Sequence, residues 1–383
     1  MNLHFDRAEF ESRRQGTCAA IEAAGYHGIV LFRQESMYYL TGYDTMGFAM
    51  FQAMYLGADG QFALLTRSAD AYQAAYTSIV QDVRIWQDRE GASPGDDLRD
   101  MLESYKCRGK HLGIEYHAYG LTAQRGKMVD AALEGFCKAE DASDLVRLVR
   151  LIKSDAELKY VRRAGALAQE VLDIANSQAI PGANLGAIYG NMNLAVMRGG
   201  GDPAASRWPM GAGDEALLVR YHTDLGHIAE NDQVTFEFGT AYRHYHAAMM
   251  HNVVVGTVSD EHRRMFDACR DALDACHTTL RPGNTVGDVF DTHKNVMDKA
   301  GYGDLCLNAC GYTLGIAYPP TWMDWPMFWT GNPQVLEPNM IFFMHMILID
   351  RGNGRIMSLG DTAIVTEGDP ELICEAPREL VVN

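Results

Sequence analysis

Two rhythms of apolar and polar positions divide the chain. From residue 1 to about 150, helical spacings alternate with short apolar runs: GIVLF at 28–32, AMYLGADGQFALLT at 53–66 with a turn at Asp59-Gly60, and HLGIEY at 111–116. Strand and helix in alternation predict an α/β domain. The pattern changes at LIKSDAELKYVRRAGALAQEVLDIA. Ser154 stands three residues before Glu157 as a capping box, and Leu158, Val161, Ala164, Ala168 and Leu172 recur at helical spacing, with Gly165 inside at a small local cost. A long amphipathic helix therefore opens a second region. Further helices are expected around Met265–Leu280, ending at Pro282-Gly283, and around Val289–Met297, ending at Gly301. Between and after them QVTFEF, HNVVVG, MIFFMHMILI and TAIVT read as strands.

One segment, EFGTAYRHYHAAMMHN at 237–252, alternates like a β-hairpin about its central Gly239, yet carries a carboxylate, three histidines and two adjacent methionines. With a strand period of two, His244, His246, Ala248 and Met250 share one face, and His251 points the other way unless a bulge intervenes.

Length and charge narrow the possibilities. A chain of 383 residues exceeds what one core usually covers, so two domains are expected. The formal charge of -17, from 33 basic and 50 acidic residues, argues against nucleic-acid or anionic-membrane partners. No apolar run approaches the roughly 18 residues of a membrane helix, and MNLHFDRAEF has neither a basic n-region nor an apolar h-region. A soluble, cytoplasmic protein is the expectation. Its eight scattered cysteines contain no CxxC and read as buried thiols rather than a disulfide framework. GGG at 199–201 lacks the context of a phosphate loop, and no serine nucleophile elbow is present.

Seven short motifs stand in a telling order: YYLTGYD at 38–44, LIKSDAE at 151–157, NDQVTFEFG at 231–239, RPGNTVGDVF at 281–290, ACGYTLG at 309–315, LEPNM at 336–340 and DTAIVTEG at 361–368. Over nearly its whole length the chain resembles the pita-bread family of creatinase, prolidase, aminopeptidase P and methionine aminopeptidase. The resemblance implies an α/β N-terminal domain, residues 1–150, and an α+β C-terminal pita-bread (creatinase/aminopeptidase-like) domain, residues 151–383.

The metallopeptidases of that family hold two metal ions with two Asp, one His and two Glu. By resemblance those positions fall here on Glu237, Ala248, Tyr312, His345 and Gly360. The inherited dinuclear site is therefore expected to be lost, with no metal and no cofactor. The family's catalytic His falls on Arg220 in LLVRYHTD, which also contains His222. This predicts a pocket containing Arg220, Glu237, Tyr312 and His345, with His244 and His246 near its rim or floor.

Those residue types suit acid-base chemistry on a small substrate. Arg220 offers a bidentate fork for a carboxylate, Glu237 in a dry pocket serves as base or nucleophile, and His345 with Tyr312 donates protons. The aromatic stretch YPPTWMDWPMFW at 318–329 suggests a wall of Trp322 and Trp325, with Asp324 to pair with a substrate ammonium. His244, His246, His251 and His222 complete the candidate substrate-binding set. The His-x-His spacing also fits a replacement single-zinc site, and an ion pair between Glu237 and Arg220 is the structural alternative for that carboxylate.

The function expected is metal-independent hydrolysis of a C–N bond, other than a peptide bond, in a small nitrogenous metabolite, as the resemblance to creatinase and ectoine hydrolase implies. Alternatives are a lyase abstracting a proton α to a carboxylate, a metallo-aminopeptidase or Xaa-Pro dipeptidase, and a metal-free binding domain. The last has no reason to keep polar groups in the cavity. The resemblance further implies a homodimer in which TMGFAMFQ at 45–52 borders the neighbour's site.

Overall fold

The computed structural model describes residues 2–220 and 224–383, which fall into two compact units, Met1–Arg150 and Leu151–Asn383.

In the N-terminal unit the helices are α1 (Arg7–Ala23), α2 (Gln34–Thr41), α3 (Ser68–Thr77), α4 (Pro94–Ser104), α5 (Ala123–Leu133) and α6 (Leu145–Val149). The strands are β1 (Gly28–Leu31), β2 (Ala53–Gly57), β3 (Phe62–Thr66), β4 (Val83–Ile85), β5 (His111–Ile114) and β6 (Lys138–Asp141). They form one sheet in the order β4-β3-β2-β1-β5-β6. The turn expected at Asp59-Gly60 makes β2 and β3 antiparallel, whereas β1-β5 and β5-β6 are parallel across helical connections. Glu115, just beyond β5, is fully buried and accepts from the backbone N–H groups of Phe32 (3.1 Å) and Arg33 (2.8 Å) and from Ser36 Oγ (2.6 Å). Its carboxylate thus takes up the N-cap N–H of α2, where Arg33 supplies no side-chain cap, and ties the first turn of the helix down through Ser36.

The C-terminal unit opens with α7 (Asp155–Gln178), capped by the reciprocal Ser154 and Glu157 box, and α8 (Leu185–Arg198). Gly165 within α7 has a packing reason. A Cβ there would lie 2.2 Å from the carbonyl oxygen of Ile373, so only glycine lets the helix approach that backbone. The strands are β7 (Met210–Ala212), β8 (Asp232–Tyr242), β9 (Tyr245–Val255), β10 (Gly311–Thr313), β11 (Asp324–Met327), β12 (Ile341–Asp350) and β13 (Arg355–Ile364), interrupted by α9 (Asp260–Thr279) and α10 (Val286–Lys299). They lie in the order β11-β10-β12-β13-β9-β8-β7.

The hairpin differs from its expected form in one respect. Gly239 is inside β8, paired with Ala248, and the turn falls at Arg243-His244, both with positive φ (53° and 66°). Two such residues give the tight two-residue connection that matches strand twist. Along β12, Phe342, Met344, Met346 and Leu348 enter a core with Cys269, Leu273 and Val289 from α9 and α10. The alternate residues therefore face the other side of the sheet.

Candidate active site

Register assembles the site. Glu237 on β8 stands opposite Met250 on β9, Met250 opposite Gly360 on β13, and Gly360 opposite His345 on β12. Directly opposed residues of antiparallel strands project to the same face, so this row carries Glu237 and His345 to one side of the sheet. Tyr312 joins from β10, paired with Phe343, two residues before His345 and hence on that same face.

These three side chains line a cavity of about 480 Å³ together with Arg207, Arg220 and Trp322. That volume suits a small molecule.

Glu237 is the cavity's sole carboxylate among the described residues. Protein surrounds it, while its side chain opens onto the cavity and keeps partial exposure. Among the described residues its carboxyl makes no hydrogen bond and no ion pair within 4 Å. The pair with Arg220 expected as the structural alternative is therefore not formed. Enclosure pushes its pKa up to about 7, and the more distant positive charge of Arg220 opposes that rise. Arg220 itself is exposed, with Nη1 3.9 Å from Met323 Sδ.

Tyr312 is buried, and its phenol is held well above its ordinary value by burial and by Glu237. Its oxygen accepts a 2.8 Å hydrogen bond from Trp322 Nε1. Trp322 in turn lies against the backbone of Gly239, where a Cβ would be 3.0 Å from the indole. A glycine in β8, a tryptophan and a tyrosine thus form one stack along the cavity wall.

His345 contacts the rings of Tyr312 and Phe343, and its Nδ1 is buried without a partner. Burial first, then the nearby His293, lowers its pKa to about 3. The imidazole is neutral at ordinary pH. This corrects its expected role as a proton donor: it can orient a hydrogen bond, but it supplies no imidazolium.

The remaining expected site residues lie elsewhere. His244 occupies the hairpin turn and stacks on Tyr318 with ring centroids 4.2 Å apart. His246 lies on the expected strand face but beyond the cavity. Its Nε2 accepts from Ala205 N (3.0 Å) and its Nδ1 donates to the His244 carbonyl (2.9 Å). With both ring nitrogens engaged, the His244/His246 zinc site is not formed. His251 does face the opposite side, bonded through Nε2 to Asn176 Oδ1 (2.7 Å) and stacked on Phe236, so it does not line the cavity. Asp324 is buried in β11 and accepts from the Trp325 backbone N–H (3.0 Å), away from the cavity lining. Trp325 is 39% exposed and meets Trp329 edge-on rather than walling the cavity. His222 lies outside the described residues. Sequence reasoning missed Arg207, which lacks any motif and is marked only by its place at the cavity.

The donor set does not suit the metals of the family it resembles. Ala248 and Gly360 offer no side-chain donor, and the Tyr312 phenol is held protonated. A Cβ at Gly360 would lie 2.6 Å from the Met344 carbonyl and 3.0 Å from His345 Cβ, so the strands have closed over that position. Among the described residues no group of three or more His, Cys, Asp or Glu can hold an ion.

The model of metallopeptidase family M24 matches residues 159–367, and that of the creatinase/prolidase N-terminal domain matches residues 13–152. The chain belongs to family M24. Among its relatives in this family of hydrolases, the uncharacterized hydrolase/peptidase y4tM of Sinorhizobium fredii is 29% identical over 100% of this chain and 99% of its own. The ectoine hydrolase of Halomonas elongata is 26% identical, again over 100% and 99%. The crystal structure of dipeptidase PepE from Mycobacterium ulcerans superposes with a TM-score of 0.86 at 22% identity, covering 99% of each chain. The C-terminal unit thus has the M24 pita-bread fold, preceded by a creatinase/prolidase N-terminal domain. No helix among the described residues is long and apolar enough to cross a membrane.

Proposed function

We propose that this M24-family hydrolase cleaves a C–N bond other than a peptide bond in a small nitrogenous metabolite, without a metal. The observation that carries the reading is the Glu237 carboxyl. It opens onto a small cavity with no donor of its own among the described residues, and its pKa of about 7 divides it between acid and base at neutral pH.

In the reaction, Arg220 holds a substrate carboxylate and places the C–N carbon between Glu237 and Tyr312. Ionised Glu237 takes a proton from an attacking water, the hydroxide adds to the carbon, and the carboxyl returns that proton to the departing nitrogen. Water's OH ends on carbon and its H on nitrogen. Because Trp322 already donates to the Tyr312 oxygen, the phenol's own proton is available to the charge developing on the substrate. His345 orients rather than titrates.

The full-length similarity to an ectoine hydrolase supports the small-metabolite reading. The test combines elemental analysis with a screen of small amides and cyclic amidines in ¹⁸O-labelled water. Label in the product with less than about 0.1 equivalent of transition metal supports the reading. Unlabelled product means elimination by a lyase, and about two equivalents of metal with dipeptide turnover means a peptidase. Binding that survives Glu237→Gln, with no turnover by either protein, means a binding domain.

A further inference from the structure

One helix of the C-terminal unit turns an almost uncharged face outward. α8 has 14 residues, and only Arg198, its last, is charged. Leu185, Ile188, Met192 and Val196 are buried, while Ala187, Gly190, Asn191, Leu194, Met197 and Arg198 are exposed. A helix turns about 100° per residue, so the exposed set occupies an arc of roughly 120° centred on Leu194. Leu194 is 43% exposed and Met197 41%. Ala187, Gly190, Leu194 and Met197 follow at spacings of three, four and three, the seam of a paired helix. Gly190 differs from Gly165, which the Ile373 carbonyl holds to glycine. Among the described residues a Cβ on Gly190 would meet nothing within 4 Å. Nothing within the chain asks for a glycine there, although it weakens the helix. A groove of about 460 Å³ runs between α7 and α8, lined by Ile174 and Leu194 and holding one carboxylate, Glu170, and one guanidinium, Arg198.

We infer that this face docks on the same face of a second copy of the chain, with the two α8 helices antiparallel about a two-fold axis level with Met192. That axis sets Ala187 against the partner's Met197 and Gly190 against the partner's Leu194, small against large in every pair, and each contact occurs twice. Parallel pairing would set glycine on glycine, leucine on leucine and Arg198 on its own copy, leaving a gap, an overlap and a repulsion. Charge selects the occupant as well. Each copy carries a formal charge of -17, so two copies repel except where the meeting surfaces are neutral. α8 contributes no acid, and the charges of the groove cancel. A helix of this length spans about 21 Å and alone falls short of the roughly 800 Å² per partner of a standard interface, so the pairing is reversible rather than obligate. Ile180, 49% exposed just before α8, extends the seam. No residue of 45–52 takes part, so an interface there adds to this one and does not replace it.

Sedimentation equilibrium of the full chain from about 1 to 100 µM tests the inference. At the upper concentrations the mass is expected to halve in Leu194→Lys and in Met197→Lys, whether or not a further interface operates. Both positions are exposed, so neither change burdens the fold. Leu148→Lys, at an exposed leucine of α6, should leave the mass as it is. Gly190→Leu separates pairing from folding. Leucine is the better helix former, so the thermal midpoint of the separated chain should not fall, while the dissociation constant should rise at least ~10-fold as the gap for the partner's Leu194 is filled. A chain that is monomeric throughout, an oligomer whose mass survives both lysine variants, equal loss of mass in Leu148→Lys, or unchanged or tighter association in Gly190→Leu would overturn the inference.

Discussion

Glu115 in the N-terminal unit and Glu237 in the C-terminal unit are both enclosed by protein, but only the first is saturated with donors. Two backbone N–H groups and a serine hydroxyl converge on Glu115, and burial still outweighs them in raising its pKa. Glu237 has neither donor nor ion pair among the described residues, and one side of it is a cavity. The pair shows how the same residue type serves architecture when its lone pairs are filled by the fold, and chemistry when the fold leaves them for a ligand.

Exchanging the two positions in mutagenesis is the strongest way to break the comparison. Glu237→Gln is expected to lower C–N hydrolysis by about 10³-fold while the protein stays folded, because it removes the proton acceptor alone. Glu115→Ala is expected to cost about 3 kcal/mol of stability in urea denaturation, since three buried donors lose their partner. Stability loss at Glu237, or unchanged stability at Glu115, would reverse the assignment of roles.

The pH dependence of stability sharpens it next. Below pH 4.5 the Glu237 carboxyl is protonated in folded and unfolded chains alike. Between 4.5 and about 7 only the unfolded chain ionises, so the raised pKa lowers stability as pH rises, and the loss is complete above about 7. Glu237→Gln should therefore gain stability at pH 8, by at most about 3 kcal/mol and less where cavity water screens the charge. The buried imidazoles act in the opposite direction. His246 and His293 titrate near 4 and His251 and His345 near 3 in the folded protein, so the unfolded chain takes up protons first below 6.5 and stability falls with acid. Thermal melts from pH 4 to 9 should show the alkaline loss vanish in Glu237→Gln and the acid loss persist.

A smaller effect is expected at the support of the site. Trp322→Phe keeps the ring but deletes the donor to Tyr312, and should lower kcat about tenfold with KM nearly constant, in line with the loss of one buried hydrogen bond. Gly239→Ala pushes on the indole from behind and should reproduce that split. A change in KM alone would make Trp322 a substrate contact instead.

Both domains and their boundary region were legible in the sequence because hydrophobic period, capping box and motif order are local signals. The cavity quartet was legible for a different reason: Glu237, Tyr312, His345 and Arg220 occupy positions whose neighbours are motif residues. Protonation state was not legible, since the low pKa of His345 comes first from its burial in the assembled sheet and then from His293, a residue of α10 distant in sequence. Nor was the use of the hairpin histidines. Strand alternation gives the face of His246 correctly, but it cannot show that Ala205, forty-one residues earlier, donates into its ring.

His244 and His246 therefore carry the finest test of the contrast between structural and chemical polar groups. His244→Ala removes a stack on Tyr318 and is expected to cost about 1 kcal/mol. Turnover should not change, because the ring does not line the cavity. His246→Ala should cost more, since the Ala205 N–H is left buried without an acceptor. The two variants should differ in urea midpoint while keeping equal kcat. If His244→Ala abolished turnover instead, the hairpin tip would belong to the reaction, and the division drawn from Glu115 and Glu237 would not extend to this strand.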